Sequence, residues 1–350
     1  LTNFDERKKI LKTIVVFSVI VITLCVSIMV AMLLGATELR PSTVFEVLKQ
    51  EIFGVESVQL KTSDIYIIWN LRMPRALLSI AVGGGLSICG VAMQAITQNV
   101  LADPYVLGVA SGASAAASFT FFMGGVFARN SGITNVAAFL GAIVAMVFVY
   151  VIGNGDRSGS GTRLVLAGMS VSIIFEAVSQ FFITMSPPEV VRSITMWTMG
   201  SLAEARWGNI LIPIIASVIG LIIFMFNTRA YNLISIGNDT AISIGINVVR
   251  IKKITMLTVA FVTGIIVSSC GTIGFVGFVV PHIVRLTVGA DHRKLIPLSY
   301  LSGSVFLVWM DMLARYILAP QELPIGIFTA ICAGPFFIFL LYRQAKTERG

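Results

Sequence analysis

Charge is what this chain lacks most. Only 12% of its 350 residues are Asp, Glu, Lys or Arg, while 56% are hydrophobic and the mean hydropathy is +0.91. A soluble protein carries about 25% charged residues. So few charges cannot cover a water-soluble fold of this size, which excludes soluble enzymes and soluble binding modules and leaves a polytopic membrane protein. Histidine is nearly absent: His282 and His292 are the only two, too few for a histidine-based metal site. The four cysteines (Cys25, Cys89, Cys270, Cys332) stand far apart inside apolar stretches. No pair has metal-ligand spacing, and they read as small buried hydrophobes. No Gly-Lys dipeptide occurs, so the phosphate-binding loop Gly-x-x-x-x-Gly-Lys-Ser/Thr is excluded and the chain cannot hydrolyse ATP alone.

What is present is a series of long apolar runs. A helix needs about 20 mostly apolar residues to cross the hydrocarbon core. Such runs lie near 13–34, 76–97, 104–126, 132–153, 164–186, 208–227, 254–270, 272–290, 295–318 and 324–342. They predict an all-α protein with about ten transmembrane helices, the run at 13–34 being a retained first helix. An even number of spans puts both termini on one side. Placing them in the cytoplasm also puts the basic groups of three inner loops there, fifteen of the 25 Lys and Arg in all, as the positive-inside rule requires. That excess of base, +8 overall, therefore points to membrane orientation and not to nucleic acid. No linker suggests a second domain, so 1–350 reads as one membrane domain. Thr43 and Glu46 have capping-box spacing before Val44, Phe45, Val47, Leu48 and Ile52, predicting a short amphipathic helix at 42–53 in a long outer loop, 35–75.

Inside the spans polar chemistry is sparse. Glu176 is the one acid near the middle of a span, which fits an ion-coupling site, a watery cavity or a structural hydrogen bond. Asp311 and Arg315 stand four apart and can pair along one helix face. The stretch GNGDRSGSGT (153–162) lacks the lysine of a phosphate loop and reads as a turn; LSGS (301–304) reads as small-residue helix packing. Gly271, Gly274 and Gly277 recur every three residues, with Pro281 following. That pattern fits a broken helix lining a cavity, a glycine face for close helix packing, or both.

Four longer stretches stand in order: LRMPRALLSIAVGGGLSICGVAMQ (71–94), NVLADPYVLGVASGA (99–113), GTIGFVGFVVPHIVR (271–285) and ARYILAPQELPIGIFTAICAGPFF (314–337). Together they closely resemble the iron-siderophore and vitamin B12 permeases, the FecCD-type membrane subunits of type II ABC importers. The resemblance runs through most of the chain. It implies a permease in a bacterial cell membrane that pairs with a second permease, identical or paralogous, and stands on two cytoplasmic ATPase subunits. ATP and Mg would bind on those partners, and no cofactor on this chain. An extracytoplasmic binding protein would deliver the ligand to the outer face.

By that resemblance Arg72, Arg75 and Arg315 are expected on the outer rim, receiving carboxylates of the binding protein, a task suited to the planar guanidinium fork. The segment 231–250, with Gly237, Asp239, Ala241 and Gly245, resembles the cytoplasmic coupling helix that seats in the ATPase. In one place the chain departs from the family pattern: Gln98-Asn99-Val100 stands where Arg-Asn-Pro is usual, before Leu101-Ala102-Asp103-Pro104. The implied function is inward passage of a ferric siderophore. Haem and cobalamin are the alternatives within the family, and an ion-coupled carrier using Glu176 is the alternative outside it.

Overall fold

The computed structural model describes residues 2–35, 37, 39–55, 60–124, 131–153 and 161–347. Most of the 153–162 turn, with Arg157, lies outside them. Among the described residues the chain is helical with no strand. In order come α1 (Thr2–Leu33), α2 (Pro41–Phe53), α3 (Thr62–Ile65), a π-helical segment (Tyr66–Arg72) and α4 (Met73–Thr97). A 3-10 turn (Pro104–Leu107) leads into α5 (Val109–Met123), α6 (Ser131–Gly153), α7 (Gly161–Met185) and α8 (Pro188–Thr198). The rest comprises α9 (Leu211–Phe226), α10 (Thr228–Ile236), α11 (Asn238–Ser243), α12 (Val248–Cys270), α13 (Val276–Val288), α14 (His292–Tyr316) and α15 (Ile325–Thr347).

Among the described residues six helices are long and apolar enough to cross a membrane, and the pair α9–α10, bent by 61°, makes a seventh if counted as one. Three shorter apolar helices, α5, α13 and the apolar part of α15, account for the remaining runs read from the sequence. The fold is thus a polytopic all-α bundle.

α4 is its axis and is buried along nearly its whole length. Its glycines make that possible. A Cβ on Gly83 would strike the Gly303 carbonyl of α14, and one on Gly90 would strike the Gly277 carbonyl of α13. Backbones in such contact gain dispersion energy that bulkier residues would forfeit. Ser304 adds a hydroxyl donated to the Ile80 carbonyl at 3.0 Å, so the LSGS stretch is a packing surface against α4.

Four details differ from the sequence expectations. The outer loop is shorter than 35–75, because the second span is helical from Thr62, a 36-residue stretch to Thr97. Asp64, Asn70, Arg72 and Arg75 lower the local hydropathy without interrupting the helix. α2 starts at Pro41, whose missing N–H suits a first turn, so Thr43 lies inside the helix and does not cap it. Cys25 and Cys332 are exposed and only Cys89 and Cys270 are buried, because hydrophobicity marks lipid-facing and protein-facing positions alike. Finally, α8 is a helix that no apolar run announced, being amphipathic and only 11 residues long.

Candidate functional site

Two ends of the bundle carry candidate sites, and α4 and α14 reach both. At one end Arg72 closes the π-helical segment, Arg75 sits in the first turn of α4, and Asp311 and Arg315 occupy the last turns of α14. These side chains interlock. Arg75 donates from Nε to Asp311 Oδ1 at 2.7 Å and from Nη1 to Glu322 Oε2 at 2.8 Å and Oε1 at 3.0 Å. Arg315 Nε lies 3.1 Å from Asp311 Oδ2, an ion pair without good hydrogen-bond alignment. Arg72 instead caps the end of α1, donating to the carbonyls of Met32, Leu33 (2.9 Å) and Thr37 (2.6 Å). Those carbonyls belong to a helix end and the turn after it, where backbone acceptors lack intrahelical partners.

The arginines therefore do not splay over a rim. Arg72, Arg75 and Arg315 are 5–7% exposed, each held by partners within the chain. The exposed carboxylate is Glu322, with 43% of its side chain accessible. Exposed Arg206 joins them at the lip of a cavity of about 360 Å³, donating to the Ala205 carbonyl at 2.7 Å. Four guanidiniums and one carboxylate, that of Glu322, line this cavity, so it is electropositive. Sequence reading missed Arg206, which has no motif around it, and Glu322, although Glu322 stands inside the quoted ELPIG stretch.

At the opposite end the chain bends into α10, passes Gly237 and makes the single-turn helix α11. Asp239 lies in the first turn of α11, and Gly245, at φ 88°, ends the turn that follows. Ala241 is fully buried against Ile234 and Val248, leaving no room for a larger side chain. Around it Ile236, Ile242 and Ile244 are 73%, 58% and 53% exposed. With Gln98, Asp239 and Lys252, Ile236 and Ile242 border a groove of about 570 Å³.

Between the two ends, residues 271–275 interrupt the helices α12 and α13. Gly271 (φ 71°) is pressed against the Trp197 carbonyl, Gly277 against Leu86 and Pro104, and Gly274 faces open space. Phe275 takes φ 70°, a left-handed conformation costly for a bulky residue. Pro281 lies within α13. The Tyr105 hydroxyl staples the interruption, donating to the Ile273 carbonyl at 3.0 Å and accepting from the Ile273 N–H at 3.2 Å. Asp103, in the Leu-Ala-Asp-Pro turn, holds that tyrosine by accepting from the Tyr105 N–H at 2.9 Å. Glu176 lies exposed on α7. Among the described residues no three His, Cys, Asp or Glu side chains gather as metal ligands.

The model of the FecCD transport family matches residues 22–343. The chain belongs to the FecCD transport family. Similar proteins span nearly the same length. The iron(3+)-hydroxamate import system permease FhuB of Bacillus subtilis is 35% identical over 325 residues, covering 92% of this chain and 82% of the relative. The hemin transport system permease HmuU of Yersinia pestis is 34% identical over 295 residues, covering 83% and 87%. The cobalamin import system permease BtuC of Halobacterium salinarum is 36% identical over 275 residues, covering 79% and 73%. A solved structure assigned to the metal-chelate type of ABC transporter, in an inward-facing conformation, superposes with a TM-score of 0.81 at 25% identity, covering 94% of this chain and 99% of that one. Like other FecCD family members, this chain is a multi-pass cell-membrane protein.

Proposed function

We propose that this chain is the translocating permease subunit of an ABC importer that carries a ferric siderophore into the cytoplasm. The observation that carries the reading is the polarity of the bundle: an arginine-lined cavity at one end of α4 and α14, and an isoleucine-bordered groove around Ala241 at the other. The first suits the acidic surface of a delivering protein outside, with Arg72, Arg75, Arg315 and Arg206 as its electrostatic counterpart. The second suits two cytoplasmic ATPase subunits, which supply ATP and Mg, with Gly237, Asp239 and Gly245 shaping the segment that contacts them.

The pathway runs along a surface that a single chain leaves open. Glu176, Gln180 and Thr184 recur every four residues on one exposed face of α7. Polar groups at membrane depth are costly against lipid, so this face fronts a water-filled path beside a second permease, a copy or a paralogue. Gly274 and the interruption at 271–275 flank the path. No side chain here needs to hold the metal, because the chelate passes whole.

Import of radio-iron by a strain lacking the gene, over a panel of ferric siderophores and haem with labelled cobalamin alongside, tests the substrate. Loss of one siderophore, restored by the gene, is the expected result. Loss of haem or cobalamin import instead moves the substrate to that class, which relatives of comparable identity transport. Vanadate abolishes import by an ATP-driven permease and spares an ion-coupled carrier using Glu176. Ala241→Trp, which has no room beside Ile234 and Val248, is expected to abolish co-purification with the ATPase; unchanged co-purification and transport remove the coupling role from this segment.

A further inference from the structure

We propose that Asn232 and Gln98 are positioning residues that fasten α10, the stem of the ATPase-contacting segment, to α14 and α4, and thereby carry its movement to the arginine end. The inference rests on the coupling role proposed for residues 237–245. It concerns a different set of contacts.

Asn232 makes three hydrogen bonds to the turn between α13 and α14. Its Nδ2 donates to Asp291 Oδ1 at 2.8 Å; its Oδ1 accepts from the His292 backbone N–H at 2.9 Å and from His292 Nδ1 at 2.7 Å. The chemistry fixes the amide orientation. A backbone N–H only donates and an ionised carboxylate only accepts, so the amide oxygen faces His292 and the nitrogen faces Asp291. That in turn makes Nδ1 the protonated nitrogen of the imidazole. Burial alone raises the Asp291 carboxyl, but the Asn232 amide, the Arg293 N–H and the charges of Arg293 and Lys294 outweigh it and hold the group below the usual carboxylate range. Asp291 is therefore ionised at neutral pH, and its part in the clamp is lost only as pH falls below that range.

The second fastening uses the residue at which the chain departs from its family. Gln98 follows α4 in a left-handed conformation (φ 53°) and donates from Nε2 to the Ile234 carbonyl at 2.6 Å. Ile234 lies in the last turn of α10, where carbonyls have no intrahelical donor. The contact bridges 136 residues of sequence.

What lies at the far ends of the two anchored helices gives these bonds their meaning. α4 runs from Met73, with Arg75 in its first turn, to Thr97, which Gln98 follows; α14 begins at His292 and carries Asp311 and Arg315 in its last turns. Each is 25 residues long, about 37 Å of helix. They touch backbone to backbone at Gly83 and Gly303, with the side chains of Ser87, Tyr300 and Leu307 packed tightly beside the contact. Arg75 and Asp311 then join them at the other end at 2.7 Å. The pair is a stiff strut, tied to α10 below and holding the cation cavity above.

The test exchanges donor and acceptor. Asn232→Asp sets a second carboxylate against Asp291, while Asn232→Asp with Asp291→Asn restores one N–H donor and one acceptor in the same place. Both are assembled with the ATPase and the binding protein in liposomes, and import of the radio-iron siderophore identified in the deletion strain is measured per ATP hydrolysed. The expected result is a fall of about tenfold in Asn232→Asp, the scale of a lost hydrogen bond to a charged group, with recovery to near the parent value in the exchange variant. A wild-type ratio in Asn232→Asp overturns the proposal, as does a failure of the exchange variant to recover. Loss of ATPase co-purification in Asn232→Asp also overturns it, by placing Asn232 in the contact itself. Because Ala241→Trp reports on the contact independently, failure of that reading is separable from failure of this one.

Discussion

Arg75 divides its guanidinium between a carboxylate sealed inside the protein and one open to the cavity. Asp311 is 1% exposed, and removing Arg75 would leave it only the poorly aligned ion pair with Arg315, which should destabilise the fold. Charge reversal at Arg75 thus tests folding as much as docking. Glu322 offers the cleaner variant. Glu322→Gln leaves the Arg75–Asp311 pair intact and frees one edge of the fork, so affinity for the binding protein should rise several-fold; titration of the binding protein onto nanodisc-held permease measures it, and reduced affinity would make Glu322 itself a docking group. The arginines themselves were legible, since the Arg-x-Pro-Arg and Glu-Leu-Pro-Ile-Gly stretches point at them. Their partners were not: Arg75 meets Asp311 and Glu322 across 236 and 247 residues, and nothing local encodes such a meeting. The same holds for Gln98, visible in sequence only as a departure from pattern.

At the scale of elements, glycine placement decides how closely helices approach. Gly90→Ala should be severely destabilising although alanine favours helix, because its methyl would occupy the space of the Gly277 carbonyl, which is backbone and cannot rotate away. Overpacking of this kind costs about 1–3 kcal/mol or more, and thermal unfolding in detergent should show a clear fall in midpoint. Gly274→Ala, facing open space, is the control and should melt near the parent temperature. The threefold glycine spacing raised two readings, and the structure distributes them: Gly271 and Gly277 are packed, Gly274 is not. Apolar runs announced the long helices because crossing demands length and hydrophobicity together. They did not announce α8, whose 11 residues satisfy neither demand, nor the polar start of the second span, where Arg72 and Arg75 find partners inside the protein.

The whole molecule has an asymmetry of chemistry along its long axis. One end lines its cavity with four guanidiniums and one carboxylate; the other offers exposed isoleucines. Fold class was readable from composition because the lack of charge leaves no other solvent than lipid, whereas which outward faces meet lipid and which meet a second permease is not, since both are apolar. The asymmetry has a kinetic consequence. An electropositive cavity speeds encounter with an acidic partner through long-range attraction, and salt shortens that range to about 8 Å at physiological strength. Association at the arginine end should therefore slow steeply between about 50 and 500 mM salt, measurable by stopped-flow, while attachment of the ATPase through apolar burial should hold or tighten. A rise in ionic strength would then unload the importer from one side only, leaving the motor attached and idling.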